Sequence, residues 1–204
     1  MTDLSTRTRL CPPPPPPTDW SSVEEALARA LPADYKRLID AYGSGSFWDF
    51  LRLYQPHTPT EWVDITGPMP TVIRGQPEED RAQQKNPVPH DPQHLFAMGV
   101  TDSGEYLFWV TDPEDSPDQW TIAVNEARGP RWFTYDGILT QLLIALPTKT
   151  TNILMFPDDL QTLDPFFRPD PRAGTAGVRA HTPRVSGEPL TSRKPPTSST
   201  RAVR

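Results

Sequence analysis

The densest set of chemically active side chains in this sequence is an acidic loop, Asp112-Pro113-Glu114-Asp115-Ser116-Pro117-Asp118. Its closely spaced carboxylates resemble the start of a calcium-binding loop, in which oxygen ligands recur at short intervals. Such a loop needs a glycine at its sixth position and a glutamate at its twelfth, where this chain has Pro117 and Ala123. We therefore interpret the loop as a solvated acidic surface and predict that it holds no metal.

Other reactive residues also fail to form a catalytic pattern. His90 and His94 have the spacing of a helical metal pair, but Pro92 breaks the helix that would align them. Gly43-Ser44-Gly45 precedes a predicted strand, whereas phosphate-binding glycine loops follow a strand and open a helix. Cys11 lies in a proline-rich tail that cannot position a nucleophile against a base. We expect a protein with no enzymatic activity, no metal and no cofactor.

Binding through the surface is the remaining function class. Acidic residues around the predicted sheet can face a basic protein partner, and neighbouring aromatic residues can supply a buried anchor. Alternatively, the acidic residues serve only solubility and the tryptophans pack in the core. Trp62 and Trp120 are the tryptophans that we expect outside the core. The predicted partner-binding residues are Asp49, Trp62, Asp112, Glu114, Asp115, Asp118 and Trp120.

Composition predicts one folded domain between two tails. A chain of 204 residues accommodates one domain of about 150 residues. Its 27 prolines cluster outside the apolar segments, and the run Pro12–Pro17 favours a stiff spacer or a ligand for an aromatic groove. We predict a disordered segment at 1–18, a domain at 19–168 and a disordered basic tail at 169–204.

Charge is distributed unevenly along the chain. Residues 169–204 carry seven basic and two acidic side chains, or +5, so the remainder of a chain of net charge −6 carries −11. An acidic body disfavours nucleic-acid binding and favours a basic protein partner. The sequence shows neither a signal peptide nor an apolar run long enough for a membrane span, so we expect a cytoplasmic protein.

Two short amphipathic helices are predicted ahead of the sheet. Trp20, Val23, Leu27 and Ala30 recur at helical spacing, with Asp19 or Ser21 available as the N-cap. Pro32 favours the first turn of a second helix, whose apolar stripe ends at Gly43. The stripe consists of Tyr35, Leu38, Ile39 and Tyr42. The aromatic run 47–54 then predicts one buried strand.

The rest of the domain is predicted as a four-stranded meander followed by a helix. Strands are expected at 95–101, 106–111, 120–124 and 131–135, with a turn at Asp102-Ser103-Gly104. A helix from about Asp136 to Leu146 follows, and 153–156 predicts one more edge strand. Six prolines between Pro68 and Pro92 predict that no long element forms there, with a mobile loop at 75–92. The fold class is therefore α+β with a mainly antiparallel sheet.

Several of these segments together resemble the SUKH superfamily, which contains a yeast cell-wall-synthesis regulator and many bacterial immunity proteins. The resemblance lies in Leu31-Pro32-Ala33-Asp34-Tyr35-Lys36, in Tyr42-Gly43-Ser44-Gly45, and in the Met98 to Trp109 stretch. It departs from the family at 59–92, where a longer helix is common. The resemblance implies an interaction module, in bacteria an immunity protein that neutralises a cognate toxin such as a nuclease. The alternative that it implies is a regulatory adaptor.

Overall fold

A single antiparallel sheet of seven strands organises the part of the chain that the computed structural model describes, which comprises residues 17–58, 60–126, 129–158, 160 and 165–170. The predicted disordered segments 1–18 and 169–204 fall almost entirely outside these residues. The sheet order is β6-β5-β4-β3-β2-β1-β7. The strands are β1 (Gly45–Phe47), β2 (Leu51–Leu53), β3 (Leu95–Thr101), β4 (Tyr106–Val110), β5 (Thr121–Asn125), β6 (Trp132–Tyr135) and β7 (Phe167–Pro169). With four α-helices, the described residues form one α+β domain.

The helices are α1 (Trp20–Leu27), α2 (Ala33–Tyr42), α3 (Met69–Gln83) and α4 (Leu139–Ala145). Asp19 caps α1, since its carboxylate accepts from the amide of Ser22 at 3.3 Å. Gly43 ends α2 with a positive φ of 68°, as the sequence predicted. Asp34 joins α2 to α4, because its buried carboxylate accepts from the Thr140 amide at 2.9 Å and hydroxyl at 3.2 Å. It thereby satisfies one of the free amides at the start of α4.

The meander prediction is confirmed, because β3, β4, β5 and β6 are neighbours in chain order. The prediction of one strand over 47–54 is wrong. Trp48 and Asp49 have φ values of 57° and 54°, so the chain turns back after β1 and starts β2, with Phe47 opposite Leu51. The aromatic run is buried on both sides of this turn, which is why hydrophobicity alone did not reveal it.

The prediction that no long element forms around 68–92 is also wrong, because α3 occupies 15 residues of it. Its buried residues are Pro70, Ile73, Pro77 and Asp80. They recur at helical spacing. Pro70 and Pro77, which were expected to prevent a helix, therefore lie on its buried face. Pro70 lies in the first turn, where proline is tolerated. Pro77 removes a hydrogen bond within the helix, and its burial offsets that loss.

The second edge of the sheet is formed by β7 and not by the predicted strand at 153–156. Those residues form a turn in which Ile153 and Phe156 are buried. β7 pairs with β1, and Gly45 permits this pairing, because a Cβ there would lie 2.3 Å from the Arg168 carbonyl oxygen. The strand reaches Pro169, and Asp170 accepts from Arg52 Nη1 at 2.6 Å. The domain therefore includes at least two residues past the predicted boundary at 168.

Tyr35 lies at the centre of the packing between helices and sheet. Its side chain is 0% exposed, and its hydroxyl donates to the Tyr54 carbonyl oxygen at 2.5 Å. Its ring meets Trp109 edge-on at 5.0 Å and Trp20 at 5.7 Å. One side chain thus connects α1, α2, the end of β2 and the centre of β4.

These buried tyrosines predict alkaline unfolding. Burial, with a smaller contribution from the charge of Asp64, raises the pKa of Tyr35 well above its ordinary value. Burial also raises the pKa of Tyr54, with a contribution from Tyr106. Because the folded state holds both phenolic protons more tightly, stability is full below about pH 10 and is lost as the pH rises. Two such groups contribute a slope of about 2.7 kcal/mol per pH unit.

Urea unfolding between about pH 8 and about pH 11 measures this slope. We expect Tyr35→Phe to reduce stability near neutral pH by about 1–3 kcal/mol, because the buried Tyr54 carbonyl loses its donor. The same variant should show a shallower decline above pH 10. An unchanged slope in Tyr35→Phe would contradict the role given to this hydroxyl.

Candidate functional site

The acidic loop lies in the connection between β4 and β5. Trp120, the last residue of this connection, holds the loop against the domain. Trp120 is 1% exposed, and its indole Nε1 donates to the Pro113 carbonyl oxygen at 2.8 Å. Its ring also packs against Trp109, with centroids 6.1 Å apart. A short 3-10 helix, Pro117–Gln119, completes the connection. The loop is therefore a fixed surface feature, and Trp120 supports it from below without facing solvent.

The four acidic residues of the loop have different roles. Asp118 accepts from the Ala33 amide at 2.7 Å, so it binds a free amide at the start of α2. Glu114 lies 3.9 Å from Arg29, with its side chain 68% exposed. Asp112 and Asp115 are exposed and form no ion pair or side-chain hydrogen bond with any part of the chain that the structure describes. These two carboxylates are free to meet a partner.

Asp49 lies at the opposite end of the strands. It occupies the turn between β1 and β2, beside the β3–β4 turn, as shown by the hydrogen bond from the Asp102 amide to the Phe50 carbonyl oxygen. The length of β4 separates it from the acidic loop, about 17 Å for five residues. Arg168 pairs with Asp49 through two nitrogens and lowers the pKa of that carboxyl. The sequence-predicted acidic residues therefore do not converge on one site.

Trp62 is the predicted aromatic residue that the structure exposes. It lies in a short 3-10 helix, Glu61–Val63, and is 63% exposed. This helix follows β2, which runs towards the end of the sheet where the acidic loop also lies. Val72, in the first half of α3, is another exposed apolar residue, at 62%. Asp112, Glu114, Asp115 and Trp62 thus remain as candidate partner contacts at one end of the sheet.

Sequence reasoning missed a polar cavity of about 260 Å³ at this same end. It lies between α1, the first half of α3 and the start of β3, and it is lined by Arg29, Thr66, Gly67, Thr71, Arg74 and Phe96 among others. Burial lowers the pKa of Arg29, Glu114 raises it, and the positive charge of Arg74 lowers it. The two arginines are 45 positions apart in sequence, and Arg74 lies in the segment 68–92, where no long element was predicted. No sequence pattern therefore connected them.

The histidine pair shows no metal geometry. His90 Nε2 lies 2.8 Å from the Thr134 hydroxyl oxygen, and burial lowers the pKa of its ring. His94 ends a separate 3-10 turn, Pro92–His94. Among the described residues, no group of three or more His, Cys, Asp or Glu side chains is arranged to hold a metal ion. The helices within the described ranges include none with the length and hydropathy of a membrane span.

Comparison of the chain with family models, curated proteins and solved structures found no match in any of the three.

The division of roles within the acidic loop predicts different effects on stability. Asp118→Ala removes the acceptor for the Ala33 amide at the start of α2 and should lower the free energy of unfolding by about 0.5–2 kcal/mol. Asp115→Ala is the matched control, because it removes a carboxylate from the same loop without a described contact. It should change stability by less than about 0.5 kcal/mol. Equal losses in urea melts would contradict this assignment.

Proposed function

We propose that this domain is a non-enzymatic protein-binding module, an immunity protein that neutralises a basic cognate toxin such as a nuclease. The observation that carries the proposal is the pair of exposed carboxylates, Asp112 and Asp115, in a loop held in place by Trp120 and Asp118. A fixed loop with unpaired charges retains its electrostatic attraction for a partner, because no cation among the described residues pairs with Asp112 or Asp115.

The resemblance to the SUKH superfamily supports this proposal through the arrangement of the elements. Two short helices precede the sheet, Pro32 starts the second of them and Gly43 ends it. A meander follows, and its last strand leads into α4. Such a fold by itself permits many functions, so the argument for toxin binding depends on the charge of the surface.

Charge favours a basic partner over an acidic one. The chain up to residue 168 carries −11, and a nuclease must present a basic groove to its own substrate. Complementary potentials accelerate encounter, while a desolvated aromatic residue slows dissociation. Trp62 is the exposed aromatic residue at the same end of the sheet as the loop. We therefore assign steering to Asp112 and Asp115 and anchoring to Trp62.

A regulatory adaptor is the alternative function. It is favoured by the +5 charge of residues 169–204 and by the run Pro12–Pro17, both of which suit recruitment of other partners. In that case, removal of these segments abolishes binding while the domain still folds.

For an immunity protein, the toxin encoded beside this chain's gene binds the domain alone. Absence of binding to any such toxin at micromolar concentration contradicts the immunity proposal.

The steering role predicts a change in association rate. With the adjacent toxin as partner, Asp112→Asn/Asp115→Asn should lower the association rate constant by about threefold or more at low salt. The effect should shrink at high salt, where exposed charges are screened. Asp102→Asn is the control, because it removes an exposed carboxylate from the opposite end of the sheet. Stopped-flow or surface-based kinetics that show equal losses for the double variant and for Asp102→Asn would exclude a specific acidic edge.

The anchoring role predicts a change in dissociation rate instead. Trp62→Ala should raise the dissociation rate constant by about tenfold or more, as expected for a buried aromatic hot spot. Val72→Ala, an exposed apolar residue on α3, is the comparison for a general loss of apolar surface. If the dissociation rate constant changes only in Val72→Ala, the anchoring residue lies on α3 and is not Trp62.

A further inference from the structure

The polar cavity beside α3 is a second candidate site, distinct in charge from the acidic surface. Its walls include the guanidinium-bearing residues Arg29 and Arg74, the threonines Thr66 and Thr71, and the ring of Phe96. Its volume, about 260 Å³, is below the roughly 300–1,000 Å³ typical of sites for drug-sized molecules. The cavity therefore suits a small polar group.

Both arginines line the cavity, and each has one carboxylate neighbour. Their side chains are only 21% and 30% exposed. Glu114 approaches Arg29 no closer than 3.9 Å and is largely exposed. Arg74 Nε lies 3.0 Å from Glu78 Oε1 and forms an ion pair with it. An anion in the cavity therefore competes with one carboxylate for each arginine and gains charge-assisted hydrogen bonds where it reaches the guanidinium groups.

Packing fixes the directions of these donors before any ligand enters. The guanidinium carbon of Arg29 lies 5.0 Å from the centroid of the Phe96 ring, which holds it by a cation–π contact. Thr71 belongs to the first turn of α3, whose amide end carries partial positive charge. Arg29, Arg74 and the first-turn residue Thr71 of a 15-residue helix therefore line one small space.

We propose that this cavity binds the phosphate group of a small phosphorylated molecule, held between the guanidinium groups of Arg29 and Arg74. A phosphate offers oxygens in several directions, so both arginines can donate to it at once, and arginine pairs with phosphate through two parallel bonds. The threonine hydroxyl and the first turn of α3 supply further positive potential. The proposed occupant is a small anion and not a protein, so this proposal does not rest on the proposed toxin binding.

Inorganic phosphate is the simplest probe, and its affinity for the full chain can be measured by calorimetry or by ³¹P line broadening. Arg74→Gln and Arg29→Lys should each weaken binding by about tenfold or more, since each removes charge-assisted hydrogen bonds to the anion. Arg81→Gln is the matched control, because Arg81 also lies on α3 but pairs with Asp91 outside the cavity. An equal loss in all three variants, or no binding to the wild-type chain, overturns the proposal.

Glu78 provides a test of opposite sign. Its carboxylate competes for Arg74, so Glu78→Gln should tighten phosphate binding by about threefold or more. Glu79→Gln, which removes the adjacent carboxylate on α3 that bonds Gln83, should leave the affinity unchanged. This pair remains decisive if an arginine variant fails to fold. Weaker or unchanged binding in Glu78→Gln overturns the proposal.

Two further probes identify the source of the phosphate. Ribose 5-phosphate that binds more tightly than inorganic phosphate indicates a phosphorylated metabolite, whereas the reverse order indicates free phosphate. Acetate that binds as well as phosphate shows a general carboxylate site and overturns the assignment. All these measurements use the chain without its toxin, so their failure leaves the proposed immunity function untouched, and failure of that function leaves these results standing.

Discussion

The hydrogen bond from the Tyr35 hydroxyl to the Tyr54 carbonyl oxygen is the contact on which the rest of the domain depends. It joins α2 to the end of β2 in a space from which water is excluded. A carbonyl in such a place needs a donor, and only a side chain reaching from the helix layer provides one. Because the ring of Tyr35 also packs against Trp109 and Trp20, the same residue sets the position of α1 and α2 over the sheet.

Both candidate binding features are supported by this aromatic cluster. Trp109 contacts Trp120, which fastens the acidic loop, and it stacks on Phe96, which supports Arg29. Asp118 then ties the loop to the start of α2, at Ala33, two residues before Tyr35. The charged groups at the surface therefore rest on a rigid base, so little entropy is lost when they meet a ligand.

Sequence patterns predicted the elements whose periodicity is local. The meander strands and the stripe of α2 were visible because neighbouring residues alternate or recur at fixed spacing. Helix α3 was missed because Pro70 and Pro77 were treated as breakers, although their spacing from Ile73 places them on one buried face. β7 pairs with β1 across more than a hundred residues, and Arg29 meets Arg74 only after α3 has packed along β3. Contacts between residues so far apart in the chain leave no periodic pattern in the local sequence.

Glu114 physically connects the acidic loop to the arginine cavity, since its carboxylate faces Arg29 at 3.9 Å while most of its side chain is in solvent. An anion that binds Arg29 competes with Glu114 for the same guanidinium, and thereby leaves Glu114 as unpaired as Asp112 and Asp115. A basic partner that engages Glu114 has the converse effect and leaves Arg29 more available to an anion. Thermodynamic linkage requires these two effects to be equal in free energy. With one glutamate between them, the proposed acidic surface and the proposed anion site would therefore favour each other's occupation, although neither ligand touches the other.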